Sequence, residues 1–305
     1  MKTFLYVLLG IIIFIILLII VISFILMNMF GNPERYSYEH AKKWLQEHHC
    51  YGSYDSLKKE DYTIVMSDKY VIHARFIPSE EKSQKFIILA HGVTANQIYD
   101  AKYVDTFHNL GYNIITFDER RHGMNKKVVC TMGKKEGKDL YEISLDTYKR
   151  YGRDIFLGVH GESMGASVTL LSLQYQPDFK FVIVDCPYSS LKDLTISQIK
   201  ARHLPSFFAY TAGIIGKIFY GYNPLKVIPK EAITKYHCPL LIMDGDNDNL
   251  IPPIESKEVY DSYNGEKELH YFKGADHAFS IITDPLGYNN IVKDFLNKVE
   301  KSELK

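Results

Sequence analysis

The chain has 305 residues, and its 36 basic and 36 acidic side chains leave no formal net charge. That balance excludes a nucleic-acid surface or a polyanionic substrate as the organising feature. With an apolar N-terminal stretch set aside, the length fits one large α/β domain or two small ones, without repeats or low-complexity tracts.

The N-terminal stretch "FLYVLLGIIIFIILLIIVISFILM", residues 4–27, carries no charge. As a helix rising ~1.5 Å per residue it reaches ~36 Å, more than the ~30 Å hydrocarbon core of a bilayer. A cleaved signal peptide needs a shorter apolar core and a small-residue cleavage site, whereas "NMFGNPERY" follows here. Residues 4–27 are therefore expected to form an uncleaved single-span anchor in the cell membrane. Lys2 lies on one side and Arg35, Lys42 and Lys43 on the other, a small excess favouring a cytoplasmic C-terminal domain. Long domains can cross regardless of charge, so the side of the catalytic domain stays open.

Residues 28–60 read as a linker with an amphipathic helix. Within 34–49, Tyr38, Ala41, Trp44, Leu45 and His48 fall at helical spacing. Their face suits either the domain or a membrane surface. Residues 61–305 then alternate strand and helix. "YTIVMS" (62–67) and "VIHARFI" (71–77) read as a hairpin. Further strands are expected at 85–92, 112–119, 179–186, 238–245 and 267–274, and a strand running into a turn at 155–165. Helices are expected near 99–110, 139–152, 253–263 and 285–299, and directly after residue 163. Strands apolar on both faces, alternating with helices, predict a mostly parallel sheet covered on both sides. The interval at about 188–236 is too long for a structureless loop. It reads as a helical cap over the sheet's C-terminal edge.

Four cysteines, Cys50, Cys130, Cys186 and Cys238, lie far apart and form no CxxC pair, which argues against a zinc or thioredoxin-like site. Cys186 and Cys238 flank strands and read as small buried hydrophobes.

"HGESMG" contains Gly161-Glu162-Ser163-Met164-Gly165, a G-x-S-x-G between an apolar strand and an apolar helix. A sharp turn there lifts the Ser163 hydroxyl above the sheet. It also places the Met164 N–H at the new helix's N-terminus, where an oxyanion would form. A second donor is expected from "LAHGVTAN" (89–96), with Val93 N–H as the choice and His91 as structural.

With these segments in view, the sequence resembles the α/β-hydrolase superfamily. More closely, it is similar to membrane-anchored bacterial serine hydrolases of the YqkD kind, grouped with esterases and prolyl-oligopeptidase-like peptidases. "HGVTAN", "FDERRHG", "HGESMG", "DCPYSS", "DGDNDNLIP" and "GADHAFS" carry the resemblance over nearly the whole chain after the anchor. It implies a Ser…Asp…His triad, a helical cap after the sixth strand and no cofactor. It does not specify a substrate.

The base must come from a loop beyond a late strand. His203 lies in the cap, His237 just before a strand and His270 inside one, which leaves His277. Asp276 beside it reads as loop-structural. For the acid, the similar families carry G-x-x-D-x-x-[VI]-P, matched by Gly245, Asp248, Ile251 and Pro252. Asp248 is the choice, Asp246 the fallback and Asp185 the outside alternative. Asp244, Asp246, Asp248 and Glu255 also have the spacing of a calcium loop. However, Asn249 stands where such a loop needs glycine, and the preceding segment is a strand, so no metal is expected. Arg120 and Arg121 in "FDERRHG" read as ion-pairing residues that order a loop, with phosphate recognition as the alternative.

The expected chemistry is hydrolysis of carboxylic esters, acyl or lipid-like, through an acyl-enzyme. Phe207, Phe208, Tyr210, Ile214, Ile215, Phe219 and Tyr220 of the cap are expected either to line an apolar acyl pocket or simply to pack the cap. Rival readings are a peptidase on short peptides, an acyltransferase or thioesterase with the same triad, and a non-enzymatic membrane scaffold. The candidate triad argues against the scaffold. Oligomeric state is not readable.

Overall fold

A computed structural model describes residues 1–303. Helix α1 (Lys2–Gly31) is followed by the short helix α2 (Tyr38–Glu47), whose N-terminus is capped by the Ser37 hydroxyl accepting the His40 N–H. The sheet then forms in chain order from β1 (Glu60–Val65), β2 (Val71–Ile77) and β3 (Lys85–Ala90), helix α3 (Ala101–His108), and β4 (Asn113–Phe117). Helix α4 (Glu136–Tyr151), β5 (Phe156–Glu162), α5 (Met164–Ser172) and β6 (Phe181–Asp185) follow. The interval expected as a cap holds α6 (Leu191–Ala201), α7 (Phe207–Ile215, continued by a wide turn to Tyr220) and the one-turn helix α8 (Pro229–Ala232). The chain closes with β7 (Leu240–Gly245), α9 (Ile254–Ser262), β8 (Lys267–Phe272), the single turn α10 (Ser280–Thr283) and α11 (Pro285–Glu303).

The eight strands form one sheet in the order β1-β2-β4-β3-β5-β6-β7-β8. The hairpin places Val65 opposite Val71 and pairs antiparallel with β4; every later pairing is parallel. Strands β4, β6 and β7 are buried at every position, as their unbroken apolar runs require. One apolar layer packs α4 and α5 on one face, and a second packs α2, α3 and α11 on the other.

From β3 the chain moves outward to β4, then returns to the other side of β3 as β5. The loops after β3 and β5 therefore diverge and leave a crevice at the strands' carboxyl ends, where open α/β sheets bind ligands. Two glycines make the turn after β5 possible. A Cβ on Gly161 would lie 2.3 Å from the Gly165 carbonyl oxygen, and one on Gly165 would lie 2.0 Å from that of Ala90.

Gly165→Ala should therefore destabilise the protein by at least about 1–3 kcal/mol, the usual range for overpacking, because the opposing atoms are backbone. Gly10→Ala, which meets nothing within 4 Å, should leave the melting temperature unchanged. Equal melting temperatures for the two variants would contradict the packing described.

Candidate active site

Ser163 occupies the turn between β5 and α5 with φ 57° and ψ −118°, a conformation that strains any residue with a side chain. Its N–H donates to the Asp185 carbonyl at 2.9 Å, tying the turn to the neighbouring strand end. The hydroxyl lies 2.8 Å from His277 Nε2, and His277 Nδ1 lies 2.6 Å from Asp248 Oδ2. Asp248 is buried, and its other oxygen accepts the N–H groups of Leu250 and Ile251, each at 2.8 Å. The carboxylate is thus held from three sides. The His277 loop comes this close because a side chain at Gly245 would strike the Ala275 carbonyl oxygen at 2.2 Å.

Gly92 and Val93 border the cleft beside Ser163. The Val93 and Met164 N–H groups find no protein acceptor among the described residues. The Met164 side chain is buried in the core, so this residue offers the cleft its backbone alone.

The other carboxylates of the Asp244–Glu255 stretch diverge. Asp244 accepts the Ser256 hydroxyl at 2.6 Å, Asp246 accepts Gly274 N–H at 2.6 Å, and Glu255 accepts the N–H and hydroxyl of Ser189. They do not converge as a calcium loop requires. Cys186 brings its sulfur near Asp248 and His277. Burial holds this thiol well above its ordinary pKa, and the other two groups bond one another, so the trio does not suit a metal. Asp276 accepts the Asn247 amide at 2.6 Å. His91 bridges the Gly92 carbonyl and the Glu119 N–H, and burial lowers its pKa to about 3. Arg120 pairs with Asp139 and Asp68 as expected of a loop-ordering residue. Arg121 departs from that expectation: its guanidinium donates to the Val128 carbonyl at 2.8 Å and makes no ion pair among the described residues.

The cleft around Ser163 has a volume of about 530 Å³. None of the seven cap residues named from sequence lines it. Phe208 is buried against α1 and Ile215 is buried beside it, Phe219 and Tyr220 also meet α1, and Phe207, Tyr210 and Ile214 are exposed. The cap flanks the cleft through a contact of Gln198 with the Leu250 carbonyl and does not roof it. The physical reason is that α1 packs along α7 and draws its apolar face away from the sheet edge. The wall comes instead from Tyr36, His40 and Trp44, with Tyr99, Leu250 and Phe279. Tyr36 stacks on His40, and Phe279 meets the Trp44 ring edge-on. A larger hollow of about 640 Å³ on another flank, lined by Lys134, Tyr175 and Lys226, contains no triad residue.

Beneath the cleft lies a buried polar network that the sequence reading missed. Lys102 from α3 pairs with Glu162, the residue before Ser163, and donates to the Ala278 carbonyl, the residue after His277, at 3.2 Å. Tyr103 also donates to Glu162, and Ser280 donates to Asp185 at 3.0 Å. Burial lowers the Lys102 pKa, but the Glu162 charge outweighs it and the net direction is upward. Burial and the Glu162 and Asp244 charges raise the Asp185 carboxyl to about 8.

A sheet of this order, with a strained serine turn at its switch point, is the architecture of the α/β-hydrolases. Within that class, the chain belongs to the dienelactone hydrolase family, whose model matches residues 91–299. It is 29% identical over 260 residues to the uncharacterized protein YqkD of Bacillus subtilis, covering 84% of this chain and 85% of that protein. It is 24% identical over 243 residues to the lysophosphatidylserine lipase ABHD12 of Danio rerio, covering 72% and 59% of the two chains. The esterase Pf2001 of Pyrococcus furiosus superposes with a TM-score of 0.64 at 25% identity, over 81% of this chain and 93% of that one. The protein is a hydrolase.

Lys102→Met should cost about 3–5 kcal/mol, because it leaves the Glu162 charge buried and unpaired; thermal unfolding in detergent measures it. For Asp185 the sign follows from its raised pKa. Its contribution to stability is present below the unfolded value of about 3.9 and is lost as pH rises through about 8. Wild type should therefore lose melting temperature relative to Asp185→Asn across that window; parallel curves would contradict the assignment.

Proposed function

We propose that the protein is a membrane-anchored serine esterase acting on acyl or lipid-like carboxylic esters. The observation that carries the proposal is the hydrogen-bonded series Ser163–His277–Asp248, with links of 2.8 and 2.6 Å. In this reading His277 takes the Ser163 proton as Oγ attacks the ester carbonyl. Asp248 holds the imidazole in the tautomer that presents Nε2 to serine and stabilises the imidazolium. The unpaired N–H groups of Val93 and Met164 receive the oxyanion. His277 then returns its proton to the leaving alkoxide, and a water that it activates releases the acid.

The apolar wall of Trp44, Leu250 and Phe279 favours an acyl chain over a charged group. A peptidase needs a charge to hold a peptide terminus, whereas Lys102 and Glu162, the charged pair at the cleft, neutralise one another. An acyltransferase needs water excluded, and here the cap leaves the cleft unroofed. The Pyrococcus furiosus relative is named an esterase and the zebrafish relative a lipase, which agrees with this choice. Helix α1, long and apolar enough to span a membrane and without charge over residues 4–27, is proposed as the anchor.

A fluorophosphonate probe should label wild type and not Ser163→Ala; equal labelling of both would sink the nucleophile assignment. On p-nitrophenyl esters, Asp248→Asn should lower turnover by about 10³–10⁴-fold, as loss of an orienting acid does. Asp246→Asn should stay near wild type; the reverse ranking would move the acid to Asp246. Trp44→Ala should raise KM for long acyl esters more than for acetate, and an equal rise would remove Trp44 from the acyl wall.

A further inference from the structure

We propose that helix α7 of the cap is a second membrane-contacting element, lying in the lipid bilayer beside α1. The inference rests on the reading of α1 as the anchor. The first eighteen residues of the chain are exposed on all sides. From Ile19 onward one stripe of α1, comprising Ile19, Ile22, Ser23, Leu26, Met27 and Phe30, is covered or partly covered. What covers it is chiefly the cap. Phe208 and Ala209 cluster with Ile19 and Ile22, Ser23 Oγ donates to Thr211 Oγ1 at 2.6 Å, and Tyr220 lies against Gly31. The two helices therefore run side by side in the same direction.

Length then sets the depth. The bare apolar part of α1, residues 4–18, rises about 22 Å at ~1.5 Å per residue, against ~30 Å of hydrocarbon. A spanning α1 must carry the stretch beginning at Ile19 below the hydrocarbon boundary, by about 8 Å on these dimensions. The start of α7 goes with it. The join is stiff: Cys130 N–H donates to the Gly31 carbonyl and Arg35 to the Asn125 carbonyl, each at 2.9 Å.

The chemistry of α7 matches that placement. Residues 207–220 contain one charge, Lys217. The face turned away from α1 presents Phe207, Tyr210, Ile214 and Ile218 at 43%, 51%, 59% and 65% exposure. In water such a stripe should be polar. In lipid it continues the apolar surface of α1 without a break. The turn leading into α7 exposes Lys200, Arg202 and His203; their polar heads must extend up to the lipid phosphates, which limits how deep the start of α7 can lie.

The full-length chain in phosphatidylcholine vesicles tests this, because Trp44 is its only tryptophan. In a Trp44→Phe background, single tryptophans are introduced as Ile12→Trp, Ile214→Trp and Tyr271→Trp. Phe207→Trp serves if Ile214→Trp does not fold. Brominated acyl chains should quench the probes at 12 and 214 several-fold, while aqueous iodide should reach the probe at 271. Lipid quenching at 12 with iodide quenching at 214 would overturn the proposal and leave the anchor intact. Absence of lipid quenching at 12 would overturn the anchor reading and this one with it. Shielding of 214 from both quenchers, with cross-linked dimers, would assign the α7 face to a second copy and overturn the proposal.

Discussion

The left-handed backbone of Ser163 is the constraint on which the site depends. A strand that ends in this conformation must turn at once into a helix, and the helix must press against the sheet. Strain of this kind costs about 1–3 kcal/mol and persists only where surrounding contacts over-determine it. Here they do. The Ser163 N–H is held by the Asp185 carbonyl, and Gly161 and Gly165 sit against backbone with no room for a side chain. The same turn exposes one hydroxyl and one backbone N–H at the crevice between the loops after β3 and β5. Placing the nucleophile and half of the proposed oxyanion site is thus a single structural event.

The network under that turn joins the Ser163 turn to the His277 loop. Lys102 reaches Glu162 on the nucleophile side and Ala278 on the histidine side. A buried ion pair is weak evidence for stability, since desolvation offsets much of the attraction. Its geometric role is easier to defend. One ammonium group ties the end of β5 to the loop after β8, and the 2.8 Å Ser163–His277 contact draws on both. The raised Asp185 carboxyl beside it limits the negative charge in the network at neutral pH.

Much of this was legible in the sequence, for identifiable reasons. Unbroken apolar runs marked the parallel strands, and two glycines around Ser163 marked the turn. Asp248 stood out among three aspartates because the families that the sequence resembles carry an acid at this place between Gly245 and Pro252, and the structure sets its carboxylate against His277. What stayed hidden was docking. The spacing of Ala41, Trp44 and Leu45 showed that α2 has an apolar face, but not that Trp44 would border the cleft. Phe208, Phe219 and Tyr220 of the cap meet a distant helix, α1, a partner that local pattern cannot supply. Lys102 stood in a helical stretch of mixed polarity beside Tyr103, and nothing local marked it as buried or identified Glu162 as its partner.

These hidden contacts are connected. Tyr36, His40 and Trp44 belong to the short segment that leaves α1, and that segment is pinned to the body. Tyr36 N–H donates to the Thr94 carbonyl, the Asn96 amide donates to the Tyr36 carbonyl, and Tyr38 donates to Asp118 at 2.5 Å. One wall of the cleft is therefore built from the chain that ties the apolar helix to the catalytic fold. The loop bearing Val93 is clamped by the same bonds. Any shift of this segment would therefore act directly on the cleft wall and on the proposed oxyanion loop. The segment that follows the apolar helix also lines the cleft, which gives that N-terminal segment a structural part in shaping the site.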